Sequence, residues 1–433
     1  MNETAADWPR FHAPTWYADQ LESDPCATPI RSGDSVRTII VGGGLAGLST
    51  ALSMAERGDT DIALLERGSV GEGASGRNGG FVFGGYSLDP EGLAREVGRN
   101  AARRMHRWTL DAVQTVAARC GRFGVSMSEH GVLLADWFRN DEALARHQRR
   151  MRELLDFELD WVERERMPGF VRSARYGAGL YEPGSFHFNP KAYAQSIARR
   201  LVEFGIRVHT RTPAVDIERR NGRWRIRTGA GALEAERVVL ATGGYERRLL
   251  SRIQRSIQPI ATYIVVTEPL GDRLSALFPK DVAVYDTRFA FDYYRPLGDG
   301  RLLWGGRIST ADRSPSEVCR LMRRDMSRVF PQLADVRFDY AWGGWMSYAR
   351  HQMPILREAE HGLWLALGFG GHGMAPTALA GEVLAEAMSG EFERLRHFDA
   401  YRPSWAGGPV GRVAVQGIYW WKQFRDGLRA AGR

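Results

Sequence analysis

The stretch Val36-Arg37-Thr38-Ile39-Ile40-Val41-Gly42-Gly43-Gly44-Leu45-Ala46-Gly47 decides how this chain folds. Val36 to Val41 is a short apolar run rich in β-branched residues, the pattern of a parallel strand buried on both faces. It runs into G-x-G-x-x-G, and Leu45 to Glu56 then carries helical periodicity. Gly42 permits a tight turn, Gly44 lets backbone approach a diphosphate, and Gly47 allows the helix to pack close to the strand. Leu45 and Ala46 open the helix, whose free amides and positive dipole end suit a diphosphate. A second strand, Ile62 to Leu65, ends at Glu66, about 20 residues on, where a carboxylate accepts the hydroxyls of an adenosine ribose. Strand, glycine turn, helix and strand make a βαβ dinucleotide-binding opening.

Residues 67–80, RGSVGEGASGRNGG, choose between dinucleotides. A nicotinamide enzyme continues its alternating sheet here. A long small-residue loop instead wraps the diphosphate and ribityl chain of a flavin. Arg67, Ala74 and Ser75 belong to that loop, Arg77 and Asn78 offer side-chain donors, and Gly79 and Gly80 admit backbone next to the isoalloxazine. Two further stretches fit. Val238 to Leu240 is an apolar run ending in Ala241-Thr242-Gly243-Gly244, and Gly371-His372-Gly373-Met374 leads into a helix over Ala378 to Met388. The dipole of that second helix favours negative charge on a reduced flavin. The cofactor expected is FAD. None of these stretches holds a cysteine, so the attachment expected is non-covalent.

The chain has 433 residues, enough for two domains and a sizeable core. Its formal charge of +8 comes almost wholly from arginine, with acids interleaved, so a nucleic-acid surface is not indicated. Cys26, Cys120 and Cys319 are too few and too scattered for a disulfide framework or a metal site, and a reducing cytoplasm is expected. No apolar run is long enough for a transmembrane segment. Residues 1–35 read as an arm lying on the surface. Residues 93–119 and 141–166 read as two long amphipathic helices, and 257–309 is strand-rich. The fold class expected is α/β (α+β overall): a Rossmann-type FAD-binding domain, from 36–88, 180–250 and 340–433, interleaved with a substrate domain of mixed sheet and long helices, from 89–179 and 251–339.

The same motifs, in this order, resemble the D-amino-acid oxidase-like superfamily of FAD-dependent oxidoreductases, and most of all its γ-glutamylputrescine oxidase branch. Matching stretches are Thr15-Trp16-Tyr17-Ala18, GASGRNGG at 73–80, His187 with Asn189-Pro190, Asp292-Tyr293-Tyr294-Arg295, RLLWGG at 301–306, Gly371-His372-Gly373 and IYWWKQFRDGL at 418–428. The resemblance covers essentially the whole chain. It implies that Val215 lines the adenine site through its backbone, and that 343–354, GGWMSYARHQMP, crosses near the flavin. Trp345, Tyr348, Arg350 and His351 depart from the branch's pattern, which leaves the substrate open.

The function expected is oxidation of a small-molecule primary or secondary amine to an imine that hydrolyses to an aldehyde or keto acid, with molecular oxygen reduced to hydrogen peroxide. The alternative is a dehydrogenase passing electrons to a quinone or carrier. Tyr293, Tyr294, Trp342, Trp345 and Tyr348 are candidates for an aromatic cage. Arg295 is a candidate for a substrate carboxylate, and His351 for a polar group near the flavin that carries charge toward oxygen.

Overall fold

The strand Ser35–Val41 lies at the centre of an eight-stranded sheet in a computed structural model that describes residues 13–22, 24, 30, 33–246 and 248–431. It pairs in parallel with Ile62–Leu65 on one side and Gly231–Leu240 on the other. Arg207–His209 and Leu363–Leu367 extend the parallel run outward. Its residues from Thr38 on are buried, because helices cover the Ile40 face and the strands Ala214–Arg220, Arg223–Thr228 and Ile355–Glu360 cover the Ile39 and Val41 face. The crossover helix Leu45–Glu56 buries eleven of its twelve residues. It packs tightly on the helix Met374–Met388, where a Cβ at Gly381 would sit 2.4 Å from the Ser49 carbonyl carbon.

The second sheet has nine strands. Its spine is Ile257–Thr267, antiparallel to Leu302–Ser309 on one side and Phe338–Ala349 on the other. The helix Pro315–Val329 covers it through Val318, Met322 and Met326. A three-stranded sheet of Phe81–Val82, Met127–Ser128 and Phe186–Phe188 bridges the two.

Several expectations about organisation are corrected. The arm is not merely a surface element. Thr15 caps a short helix, Trp16–Asp19, and Tyr17 is fully buried against Trp342. The boundaries at 180 and 340 fall inside the strands Gly179–Glu182 and Phe338–Ala349, both paired within the second sheet. The helix expected over 93–119 is two helices, Pro90–Val97 and Arg99–Phe123, broken where Gly98 takes φ 79°. The longer one buries Met105, Val113 and Val116 in the core of the nucleotide-binding half, not in a separate domain. The helix expected over 141–166 stops at Leu155, because Asp156 turns left-handed. The helix expected from Ala378 begins at Met374, which brings its first turn to the flavin motif.

Candidate active site

A cavity of about 560 Å³ opens at the carboxyl ends of the parallel strands, where Val41, Leu65 and Ala241 line it, and runs to the second sheet. Such a crevice is the usual ligand position in an open parallel sheet, and the volume suits a bound cofactor. At one end Gly42 takes φ 116°, and a Cβ there would lie 2.4 Å from the Ala241 carbonyl oxygen. Gly44, Leu45 and Ala46 line the wall at the first turn of the crossover helix. Gly47 stays behind it, where a Cβ would meet the Gly42 carbonyl oxygen at 2.0 Å. Glu66 also lines the wall. Its carboxylate accepts the Gly43 amide at 2.6 Å and the Gly68 amide at 2.8 Å. Burial pushes its pKa up, against the lowering effect of those two bonds. A carboxylate has about four acceptor positions, so two remain for ribose hydroxyls.

The loop after Glu66 is held mainly by its own polar groups. Ser75 Oγ accepts the Leu45 amide at 2.9 Å and so ties the loop to the helix N-terminus. Asn78 Nδ2 donates to the Ala74 and Ser75 carbonyls at 3.0 and 2.9 Å, and its Oδ1 accepts the Gly80 amide at 2.7 Å. Arg77 donates from Nε to the Glu72 carbonyl at 2.9 Å and from Nη1 to the Ala13 carbonyl at 3.1 Å. Arg77 and Asn78 therefore spend these donors shaping the loop, although both line the cavity with Arg67, Ala74 and Gly79. Gly80 lies behind, against the Phe188 carbonyl. Lys191 braces the loop from below, donating to Ser69 Oγ at 2.7 Å and the Val70 carbonyl at 2.6 Å. Thr242 and Gly243 complete this part of the wall, with Thr242 Oγ1 accepting Gln254 Nε2 at 2.9 Å.

The far end is aromatic. His372 meets Phe83 edge-on at 5.1 Å, Phe83 stacks on Tyr285 at 5.9 Å, and Tyr285 meets Phe291 at 5.6 Å. Phe291 meets Tyr293 at 6.2 Å, and Tyr293 meets Phe81 at 5.7 Å. Tyr348 lines the same end; Trp345 reaches it through its backbone, with its ring packed in the core of the second sheet alongside Tyr294 and Trp304. Tyr293 reaches its place because Gly305 sits opposite it in the ladder, and a Cβ there would lie 2.1 Å from the ring. His372 is half-buried in this apolar setting, and desolvation lowers its pKa to about 4, so the ring is neutral at neutral pH. Ser87 Oγ accepts the Gly371 and His372 amides at 3.0 and 3.4 Å. Those two amides thus hold the turn, while Gly373 and Met374 begin the helix at the cavity wall.

Five sequence-derived candidates lie elsewhere. Tyr294 points away from the cavity: it is buried, stacked on Trp304 at 4.4 Å and bonded to Tyr176 at 2.9 Å. Adjacent residues of a strand face opposite sides, so Tyr293 and Tyr294 cannot share one wall. Arg295 is buried behind the flavin loop. It donates to the Gly79 and Phe188 carbonyls at 2.7 and 2.8 Å and to Tyr17 at 3.1 Å, and meets His187 at 3.2 Å, so it is committed to the protein. His351 follows the end of Phe338–Ala349 on a turn. Nδ1 accepts the Met353 amide at 3.2 Å and Nε2 faces the Arg402 carbonyl at 3.3 Å, outside the cavity lining. Val215 is 52% exposed; its neighbours Pro213 and Ala214 line the cavity. Trp342 is likewise outside the lining, donating to the Arg77 carbonyl at 3.1 Å.

Sequence reasoning missed Phe81, Phe83, Tyr245, Tyr285, Phe291 and Ser87. Tyr245 follows the Thr242-Gly243-Gly244 stop, and its hydroxyl accepts the Trp345 amide at 3.0 Å, joining the two sheets at the cavity. The position after a glycine stop was the available signal for it; the others carried none.

The donor set and the glycine cradle fit FAD. Glu66 would hold the adenosine ribose, the first turn of Leu45–Glu56 the diphosphate, and the loop to Gly79 with Gly371–Met374 the flavin. Solved structures share the fold. Glycine oxidase from Geobacillus kaustophilus superposes with a TM-score of 0.68 at 20% identity, over 88% of this chain and 98% of that one. L-proline dehydrogenase from P. horikoshii gives 0.71 at 18% identity, over 86% and 97%. In sequence, the chain is 30% identical over 417 residues to the probable oxidoreductase OrdL of Haemophilus influenzae, covering 92% of this chain and 94% of that protein. It is 30% identical over 401 residues to the gamma-glutamylputrescine oxidoreductase of Escherichia coli, covering 90% and 91%. The family model for FAD dependent oxidoreductases (DAO) matches residues 37–387, and with the nucleotide cradle built from Gly42, Gly44 and Glu66 this chain belongs to that family and is an FAD-dependent enzyme.

Proposed function

We propose that this chain is an amine oxidase whose substrate carries no carboxylate at the reacting carbon. The observation that carries this is the aromatic arc around a neutral His372. Among the described residues, the charged side chains of the lining, Glu66, Arg67, Glu72, Arg77 and Glu246, belong to the nucleotide end and its loop. A substrate carboxylate brought to the far end would lose its water without gaining a cation, at a cost of several kcal/mol. An amine fits better. Its ammonium form is attracted to aromatic faces on entry, and its neutral form is favoured once enclosed.

FAD held by the Glu66 cradle and the loop to Gly79 would supply a two-electron acceptor for the hydride of the amine α-carbon, with oxygen as the terminal acceptor, reduced to hydrogen peroxide. The protein does the rest. Tyr293, Phe291 and Tyr285 hold the carbon chain and exclude water. Tyr348, on the second-sheet strand Phe338–Ala349, closes the far end of the site. His372 is uncharged, so it accepts or donates one hydrogen bond without competing for the amine's proton. Water then hydrolyses the released imine to an aldehyde and ammonia or a smaller amine.

The likeness to the gamma-glutamylputrescine oxidoreductase supports an amine substrate, while glycine oxidase and L-proline dehydrogenase, similar in fold, are named for amino acids. Anaerobic flavin bleaching across a panel of primary amines, secondary amines and amino acids tests the substrate class. Faster bleaching by amino acids than by amines refutes it. Oxygen uptake with stoichiometric peroxide tests the acceptor. Turnover only with an added quinone or dye assigns the dehydrogenase reading instead.

A further inference from the structure

We propose that the C-terminal helix Gly408–Ala431 docks the enzyme on an anionic lipid surface. Of the ten exposed large apolar side chains among the described residues, seven are on this helix. Val410, Val413, Trp420, Trp421, Phe424 and Leu428 recur at helical spacing on one stripe, each between 58% and 75% exposed. The opposite face is fixed to the protein. Tyr419 packs on Phe289 at 5.6 Å, Asp426 accepts the Phe289 amide at 2.8 Å, and Gln416 accepts the Thr310 amide at 2.9 Å. The apolar stripe therefore faces away from the body by construction. Contiguous exposed apolar surface of this kind marks a binding site.

Charge selects the occupant. Of the helix's cations, Arg412 donates to the Thr310 carbonyl and Lys422 lies over the Phe289 ring, while its one acid, Asp426, is buried against Phe289. Arg425 and Arg429 flank the stripe on one side and are exposed. A second copy paired across a two-fold axis would set these cations against like charge. Anionic headgroups complement them, and paired tryptophans prefer the headgroup boundary. No helix among the described residues is long and apolar enough to cross a membrane, so this one would lie in the surface plane. Phe289, which it grips, is two residues from the cavity-lining Phe291.

The test uses the FAD-loaded full chain in flotation with phosphatidylcholine vesicles, with and without phosphatidylglycerol, at low and high salt. The expected result is binding only to the phosphatidylglycerol vesicles, weakened by salt. Trp420→Ser with Trp421→Ser should abolish it while FAD content and amine oxidation stay unchanged. Arg425→Ala should lower binding about five-fold and reduce the salt dependence. Failure of the parent to float, equal flotation of the double tryptophan variant, or a dimer that this variant dissociates would each overturn the proposal.

Discussion

Substituting Glu66→Gln isolates the ribose contact, because it preserves shape and removes charge. In the parent, Oε2 and Oε1 each already accept one backbone amide, from Gly43 and Gly68. The remaining lone pairs are the ones that ribose hydroxyls would use. A glutamine keeps one acceptor oxygen and presents an NH₂ group to the other side. One charge-assisted bond to the ribose is lost, worth about 1.5–3 kcal/mol, so the FAD dissociation constant should rise about 10- to 150-fold. The NH₂ group also faces a backbone donor, costing about 1–3 kcal/mol, which in a chain of this size moves Tm by only about 1–3 °C. The two effects separate in fluorescence titration of apoprotein with FAD and in a thermal melt. The pH dependence gives an independent readout. Burial raises the Glu66 pKa in the FAD-free protein. Hydroxyl donors favour the carboxylate, so FAD binding lowers that pKa again. Affinity is therefore full above the raised value and falls as pH drops through it, and Glu66→Gln should lose this pH dependence. A variant that holds FAD as tightly as the parent, with the same pH profile, would falsify the ribose assignment.

Three other outcomes are expected. Gly305→Ala places a methyl 2.1 Å from the Tyr293 ring, so the ring must leave the wall; KM for the amine should rise while FAD content is kept, with stability down by about 1–3 kcal/mol. Arg295→Lys cannot reach the Gly79 and Phe188 carbonyls and Tyr17 together; it should lower Tm and FAD affinity and leave KM unchanged in the reconstituted enzyme, whereas a rise in KM alone would restore Arg295 to the substrate. His372, with its pKa near 4, is neutral well below physiological pH; kcat/KM should rise between about pH 6 and 9 with the neutral fraction of the substrate amine alone, reoxidation by oxygen should be flat over that range, and His351→Gln should match the parent in stopped-flow reoxidation.

The nucleotide half was legible because its signals are local. G-x-G-x-x-G, an acidic residue after the second strand and a helix between them are fixed by chain geometry, and the observed helix Leu45–Glu56 and strand Ile62–Leu65 match the periodicity residue for residue. The substrate end is assembled from Phe83, from Tyr285 and Phe291 of one hairpin, and from His372, three segments whose proximity no local pattern records. Within Asp292-Tyr293-Tyr294-Arg295 the sequence places two tyrosines on opposite faces without saying which face is the cavity. The register against Gly305 decides, since only there is the space a ring needs. His351 was misplaced for a related reason. It is close in sequence to Trp345 and Tyr348, but Gln352 takes φ 60° and the chain turns out of the sheet. The domain boundary at 340 failed because Phe338–Ala349 reads as a strand in either sheet, and only its long ladder with Ile257–Thr267 assigns it.

The flavin loop is where the separate parts of the chain become dependent on one another. Ser75 fixes it to the N-terminus of the first crossover helix, and Lys191 fixes it to the helix Pro190–Glu203. Tyr17 donates to the Asn78 carbonyl at 2.9 Å, bringing the arm onto it, and Arg295 brings the second sheet through the Gly79 carbonyl. These bonds hold backbone in the shape a cofactor would touch. Each is worth about 1–3 kcal/mol in isolation, but they share one backbone, so losing any of them loosens the others. A ligand that binds only the ordered loop stabilises every partner by mass action. FAD loading, docking of the arm and registration of the second sheet thus form one cooperative unit, and the aromatic arc inherits its geometry from the same Gly79 to Phe83 segment.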